Sequence, residues 1–315
     1  WIFWLNVPIG LLVIPLVLGR IPRSPATDTA VDGGGLALVT GAAVGVVWGL
    51  VRANSAGWAS LEVVAALTVG VALAVAFVAW ERRARQPMVP MRLFGSRAFS
   101  SGNTAGFFLF AALYGALFFL AQFLQTAQGH GPLGAGLRLL PWTATLFVVA
   151  PLAGALVNRV GERLLVAAGL LLQALGMAWI GLLAAPGLAY PKLIAPLLVA
   201  GAGVSMAMPA AQNAVVGSVA SRELGKASGT FNMLRFLGGV FGVAILAAVF
   251  AGNGSYGSAK AFSDGFAPAI GVAAALSLVG AAVGMGIPGR RQATQPAPTH
   301  IDTDAVPTAG AKGGS

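Results

Sequence analysis

The residues in this sequence whose types could do chemistry are few, and nearly all are neutral. Asn103, Tyr114, Gln122, Gln125, Gln173, Gln212, Asn213 and Asn232 lie in or at the edges of long apolar runs, and Arg138 and Arg235 are the cations nearest to apolar sequence. Amides, a phenol and guanidinium groups can hold a ligand by hydrogen bonds. An unpaired amide in hydrocarbon is costly, so each must face a partner helix or water. Two roles compete for every one of them: lining a cavity for a small molecule, or tying helices together. Gln122, Gln125 and Asn103 also fall close to predicted membrane surfaces. Arg235 could pair with an anionic group in a cavity or snorkel to the interface from about two turns into its helix, and Arg138 reads as an outer-surface anchor.

The groups needed for covalent or proton-transfer chemistry are placed elsewhere. Asp28, Asp32, Glu62, Glu81, Glu162, Glu223 and Asp264 fall in predicted loops or at helix mouths, and Asp302 and Asp304 in a polar tail. There is no cysteine, and His130 and His300 are the only imidazoles. Disulfides, thiolate metal sites and a cysteine nucleophile are excluded. A membrane-embedded enzyme would gather His, Asp or Glu at one face, and no such cluster is written here. No Walker loop and no cofactor motif occurs.

The elements that must position these groups follow from composition. Hydrophobic residues make up 57% of the chain and charged residues 9%, and the mean hydropathy is +0.83. Such a chain needs lipid as its solvent. A spanning helix takes about 20 mostly apolar residues, and nine runs qualify: 1–18, 33–51, 61–80, 99–124, 136–157, 164–184, 193–220, 229–250 and 266–287. They are long and continuously apolar, whereas barrel strands would alternate over about 10 residues. The fold class is therefore all-α, a polytopic helical membrane protein with about nine transmembrane helices. Pro15, Pro151, Pro196 and Pro209 predict kinks, because neighbouring helices can satisfy the freed backbone groups.

The net charge of +10 reads as topology, since the cations sit in short gaps between apolar runs instead of on one solvated face. Nucleic acid is excluded as a partner. One set of loops carries Arg20 and Arg23, then Arg82, Arg83, Arg85, Arg92 and Arg97, then Arg159 and Arg163, then Arg222 and Lys226, then Arg290 and Arg291; the alternate loops offer Arg52, Lys192 and Lys260. The richer set is cytoplasmic, which puts Trp1 outside and the C-terminus inside. The chain has neither an initiator Met nor a signal-peptide n-region, so its first run reads as a truncated helix of a longer protein. Residues after Gly289 are rich in Pro, Thr, Ala and Gly and read as a disordered tail.

Glycines at four-residue spacing, Gly41, Gly45 and Gly49, Gly238 and Gly242, and Gly280 and Gly284, suggest close helix contacts. Residues 81–97, with Pro87 and Pro90, read as a linker between two helical groups. Asn253, Gly254 and Ser255 match a glycosylation sequon on the external side, a pattern common by chance.

Four stretches resemble a known family. WIFWLNVPIGLL followed by IPRS is similar to the sixth helix, and its cytoplasmic exit, of the fourteen-helix drug:proton antiporters of the major facilitator superfamily. QFLQTAQGHGPLGAGLRLLPW, 122–142, resembles the family's external loop and following helix. GALVNRVGER, 154–163, resembles its short cytoplasmic loop motif, with Gly154, Arg159, Gly161 and Arg163 in place and Asn158 where Asp is usual. SRELGKASGTFNMLRFLGGVFGVAI, 221–245, resembles the entry and small-residue face of a late helix. Asn158 can cap or hydrogen-bond but cannot supply the charge through which Asp would help latch two halves. The loop also reads as a plain positive-inside turn.

The resemblance implies a partial major-facilitator fold: 1–20 as the end of the N-terminal half, 21–97 as an extra hairpin and linker, 98–288 as the C-terminal six-helix half, and 289–315 as a cytoplasmic tail. It implies proton-coupled export of drugs or other amphipathic small molecules by alternating access, with substrate bound near the midplane. The implied partners are a small-molecule substrate, the lipid bilayer, and protons taken up by N-terminal helices not present in this chain. The implied location is a plasma membrane, and the Ala-, Gly- and Arg-rich composition suggests a bacterial one. A carrier for a narrow metabolite or antibiotic substrate, or a non-transporting remnant of a carrier, is the alternative.

Overall fold

The computed structural model describes residues 4, 6–20, 32–84 and 87–289. Among them regular structure is entirely helical. Arg23, Asp28 and Arg85, and the tail with Arg290, Arg291, His300, Asp302 and Asp304, lie outside the described residues. The chain divides into two compact units, Trp1–Phe94 and Gly95–Ser315.

The first unit holds α1 (Asn6–Arg20), α2 (Gly33–Ala56) and α3 (Leu61–Glu81). Helices α2 and α3 form an antiparallel hairpin tied at both ends. Asp32 starts α2 by accepting from Gly35 N–H at 2.8 Å, and the Trp80 indole N–H from the end of α3 donates to the same carboxylate at 3.0 Å. At the other end Arg52 donates to Glu62 at 2.9 and 3.0 Å. Between the ties, a methyl placed on Gly45 would meet Gly70 Cα at 2.9 Å, so the two backbones approach as only paired glycines permit. Many other side chains of the hairpin, among them Trp48, Val71 and Val75, are exposed and apolar, as a lipid-facing surface requires. Glu81 is buried and accepts from Val89 N–H at 3.2 Å, which folds the Pro87–Pro90 segment back on the end of α3.

The second unit contains α4 (Arg97–Gln122, extended by a π-helical turn Phe123–Ala127), α5 (Pro132–Arg138), α6 (Leu140–Val160), α7 (Glu162–Leu183), α8 (Pro191–Val216), α9 (Leu224–Asn253) and α10 (Ala259–Gly284). Helix α4 is the most buried; it packs on α9, α10 and α8, while α7 lies between α8 and α10, and α6 covers α8. Aromatic rings fill one end of the unit, with Phe123 of the π turn stacked on Phe266 of α10 at 4.4 Å. The glycine sets read from the sequence all mark close contacts: Gly41, Gly45 and Gly49 of α2 face Leu73, Gly70 and Leu67 of α3, Gly238 and Gly242 meet the carbonyl oxygens of Phe107 and Ala111 on α4, Gly280 meets Phe108 of α4, and Gly284 meets Val166 of α7.

Eight described helical segments are long and apolar enough to cross a membrane, with α5 and α6 together making one of them, and α1 is shorter. The protein is thus an all-α, polytopic membrane protein. Of the boundaries that differ from the sequence reading, three have a plain physical cause. The run 136–157 is broken near Leu139, because Pro141 has no N–H with which to continue the preceding helix. Helix α10 begins at Ala259, where Ser258 accepts from Ala261 N–H and Lys260 pairs with Asp264 at 2.9 Å; Asp264 is therefore inside the helix and not at its mouth. Arg52 lies inside α2 and not in a loop, since its pairing with Glu62 lets the helix run past the apolar stretch.

Candidate functional site

The seam between α4 and α9 positions the chemically distinctive group of the second unit. On α4, Gly106, Phe110 and Tyr114 recur every fourth residue and so share one helix face. On α9, Phe231, Arg235 and Gly239 do the same. The faces interlock: a methyl on Gly106 would strike the Phe231 ring, and one on Gly239 would strike the Tyr114 ring. The missing side chains leave room for the two large groups between them. Arg235 fills that room, donating to the Tyr114 hydroxyl oxygen at 3.2 Å and lying over the Phe110 ring at 4.6 Å and the Phe236 ring at 5.7 Å.

Depth decides how unusual this is. Phe110 and Tyr114 lie close to the middle of the span Arg97–Ala127, and Arg235 close to the middle of Ser221–Asn253. Because α9 starts at Leu224, Arg235 is about three turns from the helix start, one more than the sequence suggests. Its guanidinium is held at that depth by Tyr114 and Phe110, so it does not snorkel toward the nearer end. A cation at the centre of a bilayer costs about 2.5–3.5 kcal/mol on insertion scales. A cation–π contact returns from about 0.5–1 kcal/mol when exposed to about 2 kcal/mol or more when desolvated, and a hydrogen bond to a charged group about 1.5–3 kcal/mol. The local contacts are therefore of the size needed to keep Arg235 inside. They do not exhaust it: Nε is buried with no hydrogen-bond partner, and among the described residues no carboxylate pairs with the side chain.

The other candidates divide by location. Asn232, one turn before Arg235, is exposed and donates only to its own helix, to Ser228 O at 3.1 Å. Gln212 and Asn213 project from α8 into the open without a side-chain hydrogen bond among the described residues. Gln173 is fully buried and donates to Leu109 O on α4 at 3.4 Å, so in this structure it joins helices. Asn103 is likewise buried and donates to Phe99 O. Gln122, the last residue of α4, accepts from the Tyr256 hydroxyl at 2.7 Å, and the exposed Gln125 donates to Ala121 O. Arg138 donates to Gly134 O and lies over the Tyr190 ring at 5.4 Å.

The loop motif forms the turn from α6 to α7. Gly161 adopts φ 85° and ψ 156°, a backbone region open essentially to glycine alone, and its N–H closes α6 on Val157 O. Arg159 and Arg163 flank it and are exposed, Gly154 has open space around it, and the side chain of Asn158 lies outside the described residues. Sequence reasoning missed Phe110, Phe236 and Tyr256 as partners of the polar groups, and a buried Thr145–Ser205 hydroxyl pair joining α6 to α8 at 3.2 Å. The four-residue spacing from Gly106 to Tyr114 was the available signal for Phe110.

Comparison with known proteins decides the family. The sequence pattern of the Major Facilitator Superfamily matches residues 1–243. The chain belongs to this superfamily. This facilitator chain is 31% identical over 253 residues to a tetracenomycin C resistance and export protein of Streptomyces glaucescens, covering 79% of the chain and 47% of that protein. It is 30% identical over 252 residues to multidrug resistance protein Stp of Mycobacterium tuberculosis, covering 79% and 46%. Over 301 residues it is 30% identical to the cephamycin export protein CmcT of Amycolatopsis lactamdurans, covering 94% and 62%. The chain spans about half the length of the first of these relatives. The superfamily itself is one of membrane transporters and not of enzymes.

Proposed function

We propose that the chain is the C-terminal part of a fourteen-helix drug:proton antiporter, and that the whole carrier exports amphipathic small molecules from a bacterial cell by alternating access. In this reading 1–20 closes the N-terminal half, 21–97 is an inserted hairpin and linker, 98–288 is the C-terminal six-helix half and 289–315 is a cytoplasmic tail. The observation that carries it is the polar, aromatic-walled seam at mid-span, in a bundle whose relatives are named as resistance and export proteins. Carriers of this kind bind substrate near the midplane between two rocking halves, in a mostly apolar cavity with a few placed polar groups.

Tyr114, Asn232 and Arg235 form one polar group of the substrate cavity, and Gln212 and Asn213 form another on α8. Gln173 and Asn103 act as interhelical and intrahelical ties. The protons enter through carboxylates on helices that precede this chain in the whole carrier. The distribution of Arg and Lys along the sequence supports a cytoplasmic C-terminus.

The test is accumulation of a panel of fluorescent and antibiotic compounds in a bacterial strain lacking its own efflux pumps and expressing the full carrier. Lowered accumulation that a proton uncoupler restores is the expected result. A well-expressed carrier that lowers the accumulation of no compound, with or without uncoupler, would sink the drug-export reading.

A further inference from the structure

The charge at the mid-span seam says something about what the cavity takes. Arg235 is a fixed cation whose compensation within the described chain is incomplete: a neutral hydroxyl and two ring faces, with no carboxylate. Its buried Nε–H has no acceptor. A partly buried guanidinium with donors to spare is a receptor for a planar anionic oxygen group, which it can grip through two parallel N–H bonds. The surroundings are suited to an aromatic carrier of that group. Phe236 is 62% exposed beside the guanidinium, so an incoming ring has an aromatic face to stack on. The Tyr114 hydroxyl, which accepts from Arg235, keeps its own proton free to donate to the same ligand. A cationic ligand in this place would meet like charge.

We propose that Arg235, Tyr114 and Phe236 form an anion subsite, and that the molecules this carrier recognises here are aromatic compounds bearing a carboxylate, phenolate or similar acidic oxygen. The proposal rests on the transport reading and narrows its substrate class. A competing occupant of the guanidinium is a carboxylate from the other half of the whole carrier, which would make Arg235 a structural latch with no preference among ligands.

The experiment uses the full carrier, purified in detergent, and two dyes of one ring system and opposite charge: fluorescein and a cationic rhodamine. Binding is read by fluorescence polarisation for the wild type, Arg235→Gln, Arg235→Lys and Tyr114→Phe. Fluorescein is expected to bind the wild type more tightly than the rhodamine. Arg235→Gln should weaken fluorescein about tenfold or more, the size of one lost hydrogen bond to a charged group, while leaving rhodamine unchanged or tighter. Arg235→Lys, which keeps the charge but loses the fork, should fall between, and Tyr114→Phe should cost fluorescein alone. Equal or tighter binding of the rhodamine by the wild type, binding of neither dye, or an equal loss of both dyes in Arg235→Gln overturns the subsite; the last outcome is the one the latch predicts. If Arg235→Gln does not fold, Arg235→Lys and Tyr114→Phe carry the comparison by the same criterion. Failure of the transport reading shows separately: fluorescein binds as expected, yet the cell assay detects no uncoupler-sensitive export of any compound.

Discussion

Arg235 of α9 and Tyr114 of α4 meet near the midpoint of both spans, joined by a 3.2 Å hydrogen bond from the guanidinium to the phenol oxygen. The pair exists because Gly239, one turn further along α9, offers no side chain and lets the Tyr114 ring approach the helix closely. Hydrogen bonding and helix packing thus share one seam, and their contributions can be separated by which atom is removed.

Removing only the Tyr114 hydroxyl leaves the helix contact intact and takes the only hydrogen-bond acceptor that the described chain offers a partly buried, mid-span cation. Tyr114→Phe is expected to destabilise the detergent-solubilised protein by about 1–3 kcal/mol. Tyr256→Phe deletes a comparable hydroxyl, the donor to Gln122, at an exposed site, where water replaces the bond. Thermal unfolding should show a clearly larger loss for Tyr114→Phe. Equal losses would mean that depth adds nothing to the value of the Arg235 bond.

The closest approach along the same seam is between Gly242 and the Ala111 carbonyl oxygen, which a methyl at position 242 would overlap. Gly242→Ala must push α4 and α9 apart, at an expected cost of about 1–3 kcal/mol. Gly154→Ala, where nothing lies within 4 Å, should be neutral or slightly stabilising, because alanine is the better helix former. Melting temperatures of the two variants decide the matter, and a Gly154→Ala loss as large as that of Gly242→Ala would contradict the contact.

The helices themselves were legible because hydrocarbon thickness fixes their length and apolarity, and the glycine spacings were legible because backbones can meet only where side chains are absent. Helix starts were less so. Apolarity marks where lipid begins, whereas Ser258 and the Lys260–Asp264 pair begin α10 earlier, in residues that hydropathy counts as loop. The candidate polar residues could be named but not sorted, because an amide such as Gln173 that ties two helices has the same sequence surroundings as one such as Gln212 that faces outward. Only the partner across the interface distinguishes them. Arg235 is the instructive case: one extra turn of helix and a ring on α4 turn an apparent interfacial residue into a mid-span one.

Sorting Gln173 gives a prediction opposite to that for a cavity residue. It is fully buried, its single bond to Leu109 O is long at 3.4 Å, and its Oε1 has no partner. An amide satisfied on one side only gains little over an apolar group of similar shape. Gln173→Leu is therefore expected to change stability by less than about 1 kcal/mol and to leave ligand binding unaltered. A large selective change in the affinity of any bound dye, with unfolding unaffected, would return Gln173 to the substrate cavity.

At the α6–α7 turn the backbone and the charges of one motif make separable contributions. Gly161 holds φ 85° and ψ 156°, a combination that costs a residue with a Cβ about 1–3 kcal/mol, so Gly161→Ala should lower the melting temperature although nothing crowds the new methyl. Arg159 and Arg163 are exposed, and replacing either with Gln should shift stability by no more than about 0.5 kcal/mol. Their contribution is expected in insertion instead, because cations in short loops set which side of the membrane the loop occupies. The double variant Arg159→Gln with Arg163→Gln should melt like the wild type, yet in cells it should yield a measurable fraction of chains in which a cysteine placed in this turn becomes accessible to an impermeant thiol reagent from outside. A lowered melting temperature for the double variant with no change in labelling would show that the arginines act through contacts within the fold and not through topology.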